Sequence, residues 1–427
     1  MGLASKINSD KDGKQSASHL PDSCVGRVMK KDLSIYIHIP FCLHKCVYCD
    51  FLSFAGRSIS DQVRYVSAIN NEIRLYKPFA SRYLVKTIYF GGGTPSLIDE
   101  SLIESMLETI RDTFEVDRFA EITIEANPGT LKYADLLQYR EFGINRLSIG
   151  MQTADDELLK KLGRIHDFEG FEKCFQDARR AGFENISVDL MSGIPGQSIH
   201  SYVDTLTRVT ELNPEHISSY SLQVEEGTPL ANNAELLSEI PDESIDREMY
   251  AMTKRVLSAS GYERYEFSNY AKPGYESRHN HVYWTGGEYI GLGISAASLF
   301  KGERFTNIRD VEEYMQVLTE AGDEISNGTS PELLYEAAAK QLRTDITVMY
   351  VNNRMEEFMF LGLRLIKGVS RADFRSRFGK DMFSVFGPVI NKYSDQGFIE
   401  YNDARVWLTD KGIDVSNYIL ADFLLDQ

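Results

Sequence analysis

Short apolar runs and longer amphipathic stretches alternate along the first half of the chain. The first run places Ile35, Ile37 and Ile39 in alternation with Tyr36 and His38, which is the period-two pattern of a strand with one buried face. The longer stretches have the length and spacing of helices that connect parallel strands. The predicted strands are 34–39, 87–90, 121–125, 146–150, 187–191 and 216–221, and the helices between them include 61–76, 100–114 and 171–181.

Repeated strand-helix units predict an α/β fold with a parallel sheet, and six units favour a partial (β/α)6 barrel with its chemistry at the carboxyl ends of the strands. After Ser221 the pattern predicts helices at 243–259 and 355–366, a helix beginning near Arg371 and a hairpin over 398–408. Helices followed by a short β-ribbon predict a C-terminal α+β, winged-helix-like domain. We expect a flexible tail over 1–32, the barrel with a C-terminal extension over 33–300, and a mainly helical domain over 301–427.

Composition narrows the class of protein. The chain has 427 residues and 43% hydrophobic content, enough for one large core and a smaller second domain. Its net charge of −17 disfavours nucleic acids and anionic lipid surfaces as partners. An odd count of five cysteines, without an apolar signal-peptide core or an apolar run of membrane length, predicts a soluble cytoplasmic protein with no transmembrane segment.

Three cysteines stand close together in F-C-L-H-K-C-V-Y-C-D-F, as Cys42, Cys46 and Cys49. Thiolates suit iron-sulfur clusters and zinc, and both kinds of site normally take four ligands. With three local cysteines, a four-iron cluster would leave one iron open to an external ligand. A structural zinc site is the alternative. The candidates for its fourth ligand are His38, His44 and Cys24.

Further polar residues follow the predicted strands. The segment G-G-G-T-P-S, 91–96, lets a backbone approach a ligand closely, although a simple tight connection explains it as well. Glu125, Gln152, Arg164 and Asp189 stand at or after successive strand ends. Carboxylates accept hydrogen bonds from ribose hydroxyls, and arginine binds a carboxylate. Each residue alone is explained by a surface charge or a helix cap, but four in these positions favour a binding site.

The order of these motifs resembles the radical-SAM family of oxygen-independent coproporphyrinogen III dehydrogenase, HemN, and its heme-chaperone branch. The shared motifs are C-x-x-x-C-x-x-C, G-G-G-T-P-S, E-A-N-P, G-I-N-R-L-S-I-G-M-Q, L-G-R-I-H and D-L-M-S-G-I-P-G-Q. The resemblance implies a [4Fe-4S] cluster held by Cys42, Cys46 and Cys49, with S-adenosylmethionine (SAM) beside it. The implied SAM contacts are Tyr36, Tyr48, Gly92, Gly93, Thr94, Glu125, Gln152, Arg164 and Asp189.

Two positions separate the branches of this family. Phe51, which we count among the cofactor-binding residues, replaces the fourth cysteine of the dehydrogenase pattern C-x-x-x-C-x-x-C-x-C. The segment H-N-H-V-Y-W, 279–284, matches the chaperone motif H-N-x-x-Y-W, which implies heme ligation by His279. A histidine satisfied within its own loop is the alternative, as is ligation by His281 or His166. Ala297 departs from the chaperone branch, which usually has histidine there.

The resemblance implies a heme-binding chaperone that carries the cluster and SAM. It would deliver heme to an apo-hemoprotein acceptor. The implied acceptor is a respiratory hemoprotein, which can be membrane-associated. The alternatives are a radical-SAM enzyme that decarboxylates coproporphyrinogen and a radical-SAM enzyme with another substrate. The resemblance is compatible with a homodimer as well as with a monomer.

Overall fold

The computed structural model describes residues 30–425, so most of the tail predicted over 1–32 falls outside the described residues. The first strand begins at Lys31, two residues before the predicted start of the barrel, because the backbone of Lys31 already pairs with Tyr83 of the next parallel strand. The strands are β1 Lys31–Ile39, β2 Phe41–Cys42, β3 Phe54–Ala55, β4 Tyr83–Gly92, β5 Glu115–Ala126, β6 Arg146–Gln152, β7 Ile186–Ser192, β8 His216–Ser221, β9 Glu263–Arg264, β10 Asn269–Ala271, β11 Tyr289–Leu292, β12 Ala297–Phe300, β13 Glu303–Asn307, β14 Arg343–Val348, β15 Val369–Ser370, β16 Ile399–Tyr401 and β17 Arg405–Leu408.

Helices connect these strands, and several begin at a side chain that caps the first turn. Ser58 accepts a hydrogen bond from the backbone N–H of Asp61, and Asp242 accepts one from Ile245, which satisfies N–H groups that have no partner within the helix. The α-helices are α1 Ile59–Leu75, α2 Lys77–Ala80, α3 Glu100–Thr113, α4 Tyr133–Glu141, α5 Asp156–Lys161, α6 Phe168–Arg180, α7 Ile199–Leu212, α8 Ala234–Ser238, α9 Glu243–Ala259, α10 Arg278–Thr285, α11 Val311–Ser326, α12 Pro331–Leu342, α13 Val351–Gly362, α14 Arg371–Phe378, α15 Met382–Asp395, α16 Asp410–Asp414 and α17 Ser416–Ala421. Short 3-10 helices span Pro95–Leu97 and Leu230–Asn232.

The six predicted strands are consecutive neighbours in one parallel array, β1-β4-β5-β6-β7-β8, with helices on the crossovers. The full sheet has the order β14-β13-β12-β11-β1-β4-β5-β6-β7-β8-β10-β9 and ends in two edges, so the barrel does not close. This topology confirms the α/β class and the partial (β/α)6 barrel. Apolar side chains on one face of the strands, such as Ile88, Ile124, Ile149 and Val188, pack in the main core with the helices.

The sheet crosses the boundary that the sequence predicts after residue 300. Strands β13 and β14 extend it, and Tyr314 and Leu318 of α11 belong to the main core. The buried carboxyl of Glu72 explains this extension, because Glu72 accepts hydrogen bonds from Asn307 at 2.8 Å and from the backbone of Gly293 at 3.0 Å. A buried carboxyl needs such partners, and they fasten this segment to α1.

A second hydrophobic core gathers residues from Met355 to Phe423, together with Phe267. It holds α13, α14 and α15 and a small sheet of order β15-β17-β16, which agrees with the predicted winged-helix-like arrangement. Helix α13 covers 351–362 rather than the predicted 355–366, because the chain is extended at Tyr350 and turns helical at once after it. In the described part of the chain, no helix is long and apolar enough to span a membrane.

Candidate functional site

A cavity of about 480 Å³ opens where the cysteine loop covers the carboxyl ends of the parallel strands. Twelve of the fourteen predicted site residues line it, whereas Tyr36 and His279 do not. The lining residues from the predicted set are Cys42, Cys46, Tyr48, Cys49, Phe51, Gly92, Gly93, Thr94, Glu125, Gln152, Arg164 and Asp189.

The three thiols are partly buried and two of them receive hydrogen bonds. The hydroxyl of Thr94 donates to the sulfur of Cys42 at 3.6 Å, and Nη1 of Arg164 donates to the sulfur of Cys46 at 3.7 Å. Burial raises the pKa of the Cys49 thiol to about 11. Donors aimed at sulfur stabilise thiolates that bind a metal, so this donor set fits an iron-sulfur cluster.

The described residues do not assemble a site for a single zinc ion. Within residues 30–425, no group of three or more His, Cys, Asp or Glu side chains converges on a position for one metal ion. Both ring nitrogens of His38 are engaged, one with the Tyr36 hydroxyl at 3.1 Å and the other with the Leu52 carbonyl at 2.9 Å. Cys24 lies outside the described residues. A four-iron cluster places each cysteine on a different iron and does not require such convergence.

The glycine loop lets the backbone form one wall of the cavity. Gly92 has a φ of +114°, and a Cβ there would lie 2.5 Å from Nδ1 of His38. A Cβ on Gly93 would lie 2.8 Å from the carbonyl oxygen of Phe41. Neither position can hold a larger residue without displacing its neighbours. Glycine is therefore needed at both positions for the backbone to lie this close to His38 and Phe41.

Two buried carboxyls face the cavity. Glu125 accepts hydrogen bonds from the Tyr89 hydroxyl at 2.8 Å and from the backbone of Gly92 at 3.1 Å, and Asp189 accepts one from Ser148 at 2.9 Å. Burial raises the pKa of Glu125 to about 7, and the nearby Asp189 adds to the rise. Burial also raises the pKa of Asp189. Both groups are placed to accept hydrogen bonds from the hydroxyls of a ligand.

Arg164 is held in place by the protein itself. Its Nη2 donates to Oδ1 of Asn127 and to the carbonyl of Gly150, both at 2.6 Å, and Nδ2 of Asn127 donates to Thr94 at 3.0 Å. Asn127 was not among the predicted site residues, although it lies in the motif E-A-N-P two residues beyond Glu125. Its position could have indicated a role, because it is a polar residue immediately after the end of a strand.

His279 lies inside the barrel and outside the cavity. Its Nδ1 bonds with the Thr87 hydroxyl at 2.7 Å, its Nε2 bonds with the Tyr283 hydroxyl at 2.8 Å, and it is 1% exposed. Burial lowers the pKa of its imidazole to about 3, so the ring is neutral. The His279 ring is thus satisfied by Thr87 of β4 and by Tyr283 of its own helix rather than within its own loop. Heme ligation by His279 stays a prediction, and it would require one of these hydrogen bonds to break.

The other histidine of the same motif has a different environment. His281 lines a separate cavity of about 680 Å³ between α10 and the start of the C-terminal unit, and its ring forms no hydrogen bond within residues 30–425. Three cationic side chains, Arg264, Arg278 and Lys367, line this cavity too. The third candidate, His166, is near the carbonyl of Met151 at 3.4 Å and lines only a small crevice beside the cysteine loop.

Two family models match the chain. The Radical SAM superfamily matches residues 36–209, and the HemN C-terminal domain matches residues 351–415. The heme chaperone HemW of Lactococcus lactis subsp. lactis is 33% identical over 404 residues, which is 94% of this chain and 99% of that protein. The heme chaperone HemW of Bacillus subtilis is 34% identical and covers 92% of this chain and 99% of its own length.

A solved structure shows the same architecture. Coproporphyrinogen III oxidase, HemN, from Escherichia coli aligns with a TM-score of 0.76 and 23% identity, covering 92% of this chain and 90% of that chain. At this identity the likeness concerns the fold. It extends over both the barrel and the C-terminal unit.

Proposed function

Because this chain belongs to the family of the heme chaperone HemW, within the radical SAM superfamily, we propose that it binds heme and delivers it to an apo-hemoprotein acceptor. The observation that carries the proposal is Phe51, which replaces the fourth cysteine of the dehydrogenase pattern and is 61% exposed at the mouth of the cavity. The proposal includes a cytoplasmic location, since an odd number of cysteines suits a reducing compartment.

A [4Fe-4S] cluster and SAM are part of the proposal. Cys42, Cys46 and Cys49 would hold the cluster, which supplies an open iron and a reducing electron when bound. Glu125 and Asp189 would accept hydrogen bonds from the ribose hydroxyls of SAM. The immobilised guanidinium of Arg164 would hold the cysteine loop in a fixed position relative to the strand ends.

The cavity beside α10 is our candidate for the heme site. We assign the axial ligand to His281, because the ring of His279 is already committed to Thr87 and Tyr283. A neutral imidazole is a good ligand for heme iron, and burial lowers the pKa of His281, with a further contribution from Lys367. Arg278 and Lys367 are placed to meet the heme propionates.

An anaerobic heme titration of the cluster-reconstituted protein tests this proposal. We expect saturable binding with a shifted Soret band, and a loss of at least about tenfold in affinity for His281→Ala. His279→Ala is the matched control from the same helix and should keep the native Soret position. If His279→Ala alone removes the shift, His279 is the ligand. If the native protein binds no heme saturably, the chaperone proposal fails.

One observation favours a second function, a radical-SAM reaction on coproporphyrinogen. All three cysteines and the four polar residues predicted after the strand ends line one cavity, so the parts for SAM chemistry are present together. Incubation with coproporphyrinogen III, SAM and a reductant, followed by product analysis, separates the two functions. The chaperone proposal predicts that no decarboxylated product forms.

A further inference from the structure

The interior of the barrel below the cysteine loop is lined by polar side chains. Successive side chains of a strand point to opposite faces, and here the apolar set packs against the helices. The set on the other face includes Thr87, Thr123, Ser148, Ser187 and Ser218, all buried. Thr87 bonds with Ser34, and Ser148 and Ser187 bond with Asp189, whereas the hydroxyl of Thr123 has no hydrogen-bond partner. Buried polar groups normally have such partners, so an unpartnered group in this interior requires an explanation.

Arg146 lines the same cavity and stands at the beginning of a strand. It is the first residue of β6, lies opposite Thr123 of β5 in register, and is only 2% exposed. Its Nε and the hydroxyl of Thr123 are both buried without a hydrogen-bond partner, and within residues 30–425 Arg146 forms no ion pair within 4.0 Å. The charge of Arg146 acts through space on Glu125 and Asp189, where it opposes the rise that burial causes in the pKa of each. A buried charge without a direct ion pair is unfavourable, so the guanidinium is suited to bind an anion.

The acidic residues of the same interior are committed to other donors. Glu121 accepts hydrogen bonds from the backbone N–H groups of Arg278 at 3.2 Å and His279 at 3.0 Å. Glu125 and Asp189 accept theirs from the tyrosine and serine hydroxyls described above. The guanidinium of Arg146 is therefore neutralised by no carboxylate at ion-pair distance, although the cavity connects it to the site above.

We propose that Arg146 binds the carboxylate of a ligand that occupies the barrel interior beneath the cofactor site. Arg146 lines the cavity, and the planar fork of a guanidinium matches the two oxygens of a carboxylate. The carboxylate has two possible sources, a small free carboxylic acid or the propionate arm of a porphyrin. The inference does not depend on heme delivery, since it concerns a different cavity from the one beside His281.

The probe for this site is 13C-labelled propionate, followed by NMR in cluster-reconstituted protein saturated with SAM, so that the SAM carboxylate is not the source of the effect. We expect saturable binding to the native chain, a loss of at least about tenfold in Arg146→Gln and a smaller loss in Arg146→Lys, which keeps the charge. Arg111→Gln, on the outer helix α3, removes the same charge at an exposed position and should bind propionate as the native chain does.

A second arm identifies the source of the carboxylate. If the porphyrin arm is the ligand, heme should bind more tightly than its dimethyl ester, and Arg146→Gln should reduce that preference to the part that Arg278 and Lys367 beside His281 maintain. If a free acid is the ligand, heme and its ester should respond alike to the substitution while propionate binding still depends on Arg146. The proposal is overturned if the native protein binds no propionate saturably, or if Arg146→Gln and Arg146→Lys both bind it with native affinity. Neither result bears on heme binding at His281.

Discussion

At the scale of single residues, the cofactor cavity depends on positions where the backbone itself is the functional group. Gly92 combines a positive φ, contact with the ring of His38 and a backbone N–H that donates to Glu125. Any side chain at this position would move both the loop and the carboxyl that faces the ligand. We therefore expect substitutions here to weaken ligand binding as well as to lower stability.

Gly92→Ala tests this expectation against Gly129→Ala. Gly129 also has a positive φ, +86°, but a Cβ there meets nothing within 4 Å. Gly129→Ala should lose about 1–2 kcal/mol of stability from backbone strain, and Gly92→Ala should lose more, because its Cβ also clashes with the ring of His38. Only Gly92→Ala should weaken SAM binding by more than about tenfold. Equal SAM affinities in the two variants, measured by calorimetry, would show that the loop does not shape the cofactor site.

On the proposed function, the carboxyl of Glu125 should make SAM binding depend on pH. Its pKa rises from 4.5 to about 7 on burial, so the stability that its protonated form contributes is fully present below about pH 4.5 and is lost as the pH rises through about 7. The ionised form is the better acceptor for ribose hydroxyls, so SAM affinity should rise from about pH 6 to about pH 8. Glu125→Gln should flatten this profile; an unchanged profile would assign the dependence to another group.

At the scale of elements, α10 fills the interior of the barrel with one set of side chains and presents another to the cavity beside it. His279 and Tyr283 point inward, whereas His281 lines the outer cavity. The sequence identified this segment but not which histidine is buried. Neighbouring histidines on a helix differ only in direction, and that direction depends on how the helix is docked.

The two histidines should therefore differ in their effect on stability. His279→Ala removes the hydrogen-bond partner of the Tyr283 hydroxyl, whereas Thr87 keeps its bond with Ser34 at 2.7 Å. An unsatisfied buried group costs about 1–3 kcal/mol, and the loss of the buried ring leaves a cavity that adds to this cost. We expect a decrease in Tm of several degrees for His279→Ala and of less than about 2 °C for His281→Ala. Equal thermal shifts, measured by differential scanning calorimetry on the apoprotein, would contradict the burial that separates them.

The parallel strands were predictable because each is a short run with alternating apolar positions between helices. Strands β13 and β14 were not, since β14 is mostly exposed at an edge and has no apolar face to reveal it. Arg146 was not identified as a candidate site residue either, although it lies in the motif G-I-N-R-L-S-I-G-M-Q. A charged residue at the start of a buried strand is recognisable only when the structure shows that no partner faces it.

At the scale of the whole molecule, the C-terminal unit packs against the barrel through α10 and β13. Arg304 of β13 binds both oxygens of Glu357 at 2.9 and 2.8 Å, and Arg377 donates to the carbonyl of Thr285 at 2.7 Å. Ile366 and Lys367, which follow α13, complete the cavity lined by His281. The sequence predicted both parts of the molecule, but a cavity between them depends on packing that no local pattern encodes.

The central claim is that this molecule loads heme and passes it to an apo-hemoprotein. The most direct test mixes heme-loaded, cluster-reconstituted protein with a respiratory apo-hemoprotein and follows the Soret band of the acceptor, with apomyoglobin as a scavenger that reports spontaneous release. Transfer through a complex predicts a rate that rises with acceptor concentration and exceeds spontaneous release. A rate that equals spontaneous release at every acceptor concentration would contradict the account.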